Sequence, residues 1–128
     1  MKDLAVEAGI QRLLEVCLSG HPDDMARVLH PDFVAIGVED GLYLNADGPT
    51  YLGFLKRQAR GRPGRVRVEW IDIRGRIAAG CLVEEQPDAR KTILMTMLCC
   101  EDGWRIMSAT FGVESGSFPK AGRQGLLQ

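Results

Sequence analysis

No apolar segment of this chain approaches the roughly 20 residues that a helix needs to cross a bilayer. The opening stretch MKDLAVEAGIQRLLEV also carries acids where a signal peptide needs a basic start and an unbroken apolar core. No membrane association and a cytoplasmic location are the resulting expectations. Excess charge is lacking too: 16 lysines and arginines against 17 acids leave a net −1, and the pI is about 6.1. That balance argues against a nucleic-acid or membrane-surface protein. The one basic run, Lys56, Arg57, Arg60, Arg62, Arg65 and Arg67, has no interleaved stacking aromatics and reads as a solvated helix end and loop. Histidine is scarce. His21 and His30 both fall at helix boundaries and are not spaced as partners on one metal, so no metal site is expected, and no cofactor. Cys17, Cys81, Cys99 and Cys100 include no CxxC pair; Cys99 and Cys100 are neighbours on a strand and point to opposite faces. Buried free thiols are the simplest reading.

What is present is an ordinary globular composition, 45% hydrophobic and 26% charged over 128 residues, enough for one domain with its own core. Residues 1–114 read as that domain and 115–128, glycine-rich with little apolar content, as a tail. The stretch Lys91 to Val113 holds two apolar runs separated by Glu101-Asp102-Gly103, a strong hairpin signal. Before it, residues 3–19 place Ile10, Leu13, Leu14, Cys17 and Leu18 on one helical stripe, ended by Gly20. Pro22-Asp23-Asp24 opens a short second helix that closes at His30-Pro31. Residues 32–38 predict a strand with Phe33 and Ala35 on one face and Val34, Ile36 and Val38 on the other, followed by a short return at 42–44. Asp47 is the expected N-cap of a third helix at 50–60. Strands at 65–74 and 77–85 follow. In the first, Val66, Val68 and Trp70 share a face, whereas Ile71 and Ile73 carry the apolar character to the other. A bulge near Trp70, or a strand covered on both sides, accounts for the switch. Helices segregated from an antiparallel meander predict an α+β domain.

Two stretches carry a resemblance. His30-Pro31-Asp32-Phe33 resembles the helix–strand junction of the nuclear transport factor 2-like superfamily, and Asp102-Gly103-Trp104-Arg105-Ile106, ending on Phe111, resembles its closing strand. Among its branches, the chain is most similar to the lumazine-binding and SnoaL-like groups. The resemblance implies a curved sheet wrapped around a helix as a cone, with a pocket between the helices and the concave face. The lining expected here is Leu14, Cys17, Leu18, Tyr51, Leu55, Trp70, Met95, Met97 and Met107. It also implies a homodimer through the outer face of the sheet, which residues of the Leu82, Leu94 and Leu98 type would supply.

For chemistry, Val38-Glu39-Asp40 is similar to the V-E-D of ketosteroid isomerase-like members, which implies Asp40 as a general base. Glu-Asp-Gly is equally the composition of a hairpin turn, the commoner use of it. Asp72 stands between two isoleucines and faces either solvent or the pocket mouth; Tyr43 and Tyr51 could donate to an oxyanion. Three functions follow: binding of a small apolar or aromatic molecule, a cofactor-free isomerase, dehydratase or cyclase using Asp40 or Asp72 with Tyr51, or an association module built on the dimeric sheet.

Overall fold

The structure is a computed structural model that describes residues 4–19, 21–39, 41–58 and 65–115; the expected turn residue Asp40, the helix end at Gly20 and the tail from 116 lie outside them. The helix α1 spans Leu4–Ser19 and buries Ile10, Leu13 and Leu14, the predicted stripe. α2, Pro22–Val28, starts on its proline and buries Met25. It stops three residues before the proline that was expected to end it, because Leu29 is already extended (φ −82°, ψ 137°) and begins β1, Leu29–Glu39. At the His30-Pro31-Asp32 junction the Asp32 amide donates to His30 Nδ1 at 2.9 Å. β2, Leu42–Asp47, is longer than the predicted three residues, since Asn45 and Ala46 stay paired with Ile36 and Ala35. Asp47 nonetheless caps α3, Gly48–Gln58, accepting the Thr50 amide at 3.0 Å. β3 (Arg65–Arg74), β4 (Ile77–Gln86), β5 (Ala89–Cys100) and β6 (Gly103–Ser115) complete the chain. Gly103 takes the positive φ, 119°, that the β5–β6 turn requires.

The six strands form one curved, open sheet in the order β2-β1-β6-β5-β4-β3, antiparallel throughout except for the parallel β1–β6 pair. This α+β arrangement agrees with the sequence reading. The core lies where α1, α2 and α3 fill the concave face: Ile10, Leu14, Phe33, Ala35, Met97, Ile106 and Phe111 are all buried there. Among the described residues no helix is long and apolar enough to cross a membrane.

Two bulges decide which side chains reach that face. In β3 the register shifts between Val68 and Trp70, the bulge that the sequence suggested. Val68 pairs with Leu82 on the concave side, and after the extra residue Ile71 pairs with Gly80 and Ile73 with Ala78. Trp70 is thereby turned outward and is 44% exposed, so it is not a pocket residue. In β6 the shift falls opposite Thr96 and Met97, which pair with Ser108 and Ile106. Met107 is the extra residue, and it lines a shallow outer hollow with Asp72, Leu98 and Thr96 instead of the cone. The alternation in β5 runs as expected, with Met95 and Met97 buried and Leu94 exposed. Leu82, by contrast, does not face outward: it pairs with Ile93 and is 1% exposed in the core.

Candidate functional site

The cone is solid at one end and open at the other. Where β4 carries Gly80, α1 comes so close that a β-carbon there would meet Leu14 Cδ1 at 2.7 Å, and Leu14, Met97 and Ile10 fill the space. Leu14 and Met97 therefore belong to the packed core and not to a cavity wall. Toward the α1–α2 junction a cavity of about 760 Å3 remains. Cys17 and Leu18 of α1, Met25 of α2, Tyr51 and Leu55 of α3, and Leu82, Ile93 and Met95 of β4 and β5 form its apolar wall. His21, Asp23, Asp24 and Glu84 add polar groups. Of the nine expected pocket residues, Cys17, Leu18, Tyr51, Leu55 and Met95 are brought together here.

The wall also contains a residue the sequence reading passed over. Lys91 is 5% exposed and lines the cavity; its Nζ donates to Glu39 Oε1 at 2.9 Å, with both side chains nearly dry. The ammonium lies 4.9 Å from the centroid of the Phe111 ring and 6.0 Å from that of Phe54. Beneath it Phe33, Tyr51, Phe54 and Phe111 form a connected aromatic cluster, with centroids 5.4 to 6.5 Å apart. Phe111 lies across Gly37, where a β-carbon would stand 2.6 Å from its ring. The signal for Lys91 was present: it shares the parity of Ile93, Met95 and Met97, as Glu39 shares that of Phe33, Ala35 and Gly37.

Two neutral acids complete the site. Burial pushes the Cys17 thiol up to about 12. It likewise raises the Tyr51 phenol, with the nearby Cys17 and Glu39 adding to the shift. Both stay protonated across the physiological range, so Cys17 is not a thiolate nucleophile and Tyr51 is a hydrogen-bond donor.

The remaining candidates lie elsewhere. Asp72 is on the outer face, paired with Arg74 at 3.1 Å and half-exposed, because the β3 bulge turns it away from the cone. Asp40 lies outside the described residues. Tyr43 is 68% exposed on β2. Arg67 of the basic run is held by Glu85 and Glu69. Arg60 and Arg62 lie outside the described residues. Among the described residues no cluster of three histidine, cysteine or acidic side chains could hold a metal.

An open curved sheet around an N-terminal helix, with a cavity against its concave face, defines a nuclear transport factor 2-like protein. Solved structures bear this out. An NTF2-like protein of unknown function from Silicibacter pomeroyi superposes with a TM-score of 0.77 at 18% identity, covering 89% of this chain and 100% of the other. One from Shewanella baltica gives 0.78 at 15%, covering 91% and 99%. A ketosteroid isomerase-like protein from Erwinia carotovora gives 0.66 at 11%, covering 86% and 94%. Within this class, the chain belongs to the family described as "putative lumazine-binding", whose family model matches residues 2–112. A comparison with curated proteins finds no match.

Proposed function

We propose that the cavity binds one small apolar or aromatic molecule. The observation that carries this reading is the cavity itself: its volume of about 760 Å3 is within the range of about 300–1,000 Å3 usual for small-molecule sites. Its wall joins an apolar, methionine-containing surface to several polar side chains, Lys91 and the acids of α2 and β4 among them. The family's description, which names a flat heteroaromatic compound, points to the same ligand class. Catalysis by Asp72 is less well supported, because it stands on the other face, paired with Arg74. The test is calorimetry and thermal shift with a panel of apolar and heteroaromatic compounds, against an Ile93→Trp variant that fills the cavity. Saturable binding lost in the filled variant, with its melting temperature kept, supports the reading; a panel with no binder, or equal binding by the filled variant, sinks it.

The association reading rests on a second observation. Val34, Ile36, Val38, Trp70, Ile77 and Leu94 are 36 to 57% exposed, and strand parity puts them together on the outer face of the sheet. A second copy of this chain seated face to face would cover them, giving the homodimer implied by the sequence resemblance.

A further inference from the structure

Lys91 is the one buried charged side chain among the described residues that line the cavity, and its pairing with Glu39 restricts what the cavity can hold. Lys91 is the only lysine or arginine among the described residues that line it. An ammonium has three N–H donors. Glu39 Oε1 takes one, and is the only side-chain hydrogen-bond partner of the Lys91 ammonium among the described residues. The pair is already neutral as a whole. A ligand carboxylate would be a second anion set against one ammonium, in a lining that already holds Asp23, Asp24 and Glu84. A ligand with no polar atom would offer the ammonium's remaining donors no acceptor.

We infer that the cavity selects uncharged aromatic ligands that carry one acceptor oxygen, seated so that this oxygen accepts from Lys91. The inference rests on the cavity being a ligand site. Its physical basis is that a site built to donate a hydrogen bond discriminates strongly against an analogue lacking the acceptor, whereas apolar walls discriminate weakly by shape. Glu39 takes part without touching the ligand: its hydrogen bond at 2.9 Å holds Lys91 Nζ in place.

Three probes of one shape decide the matter: methyl naphthyl ketone, isopropenylnaphthalene, which has a methylene in place of the oxygen, and naphthoate. Calorimetry is expected to rank the ketone at least about tenfold tighter than the hydrocarbon, as a hydrogen bond from a charged donor implies, with naphthoate weaker than the ketone. Because Lys91→Met alone would strand Glu39, the variant is the double Glu39→Gln/Lys91→Met. It is expected to lose the preference, holding the ketone no better than the hydrocarbon. Equal affinity for ketone and hydrocarbon in the natural protein, tightest binding of naphthoate, or an undiminished preference for the ketone in the double variant would each overturn the inference. If none of the three probes binds, the binding reading itself fails with it.

Discussion

Lys91 and Glu39 stand on strands that are not neighbours; the lysine stem crosses over β6 to bring its ammonium to β1. A pair this dry is stabilising only as a pair. Lys91→Met should destabilise the fold by about 3–5 kcal/mol, because an unpaired carboxylate is left in a dry wall. The double variant Glu39→Gln/Lys91→Met should recover most of that loss, and urea denaturation of the three proteins measures both. Cys17 and Tyr51 give the pH dependence. Each is neutral when buried and ionises in the unfolded chain near its ordinary value, 9.0 for the thiol and 10.0 for the phenol. A raised folded pKa means a contribution that is complete below the unfolded value and is lost as pH climbs through the folded one. Urea midpoints should therefore hold steady to about pH 9 and fall above it, with a shallower fall in Cys17→Ala. A midpoint that does not fall would show that neither group is buried as described.

At the scale of elements, the bulges in β3 and β6 set the composition of the cavity wall. Strand parity in an unbroken strand is readable from sequence, and it placed Phe33 and Ala35 opposite Val34 and Ile36, and Met95 opposite Leu94, as the structure has them. The switch of parity in β3 was legible too, from the isoleucines that follow Trp70. What could not be read was which side of the bulge keeps the original face, and that depends on the partner strand: Leu82 is fixed inward by Ile93, so Val68 is inward and Trp70 outward. The β6 bulge left no mark in the residues, and Met107 was misplaced for that reason. Lys91 was missed for a different one, because a lysine on an apolar face is ordinarily solvated and its carboxylate lies 52 residues away in the chain. Close backbone approach is the other property local patterns conceal. A β-carbon at Gly37 would meet the Phe111 carbonyl oxygen at 2.5 Å, whereas one at Gly112 would meet nothing within 4 Å. Gly37→Ala should therefore destabilise by about 1–3 kcal/mol, and Gly112→Ala by much less; thermal unfolding of the two distinguishes them.

At the scale of the whole molecule, the proposed dimer makes a prediction of its own. Leu94 sits at the middle of the outer face, on β5, and is 46% exposed in a single chain. Leu94→Lys would place a charge between the two sheets and should convert a dimer to a monomer in analytical ultracentrifugation at micromolar concentration, with ligand binding retained. A natural protein that sediments as a monomer would remove the proposal.

The order β2-β1-β6-β5-β4-β3 has a consequence for how the molecule comes together. β1 with β2, and β3 with β4 and β5, are built from neighbours along the chain, so each group can form from local encounters. Only β6 joins them, and its parallel register, Val34 beside Ser108 and Gly37 beside Phe111, links residues 74 apart in sequence. Closing that loop costs entropy before it returns contacts, which makes it the slow event of assembly. A chain still emerging from the ribosome would hold two unjoined sheet fragments until its final strand was released, and weakening the seam at Phe111 should slow refolding more than an equal loss of stability in the β1–β2 hairpin.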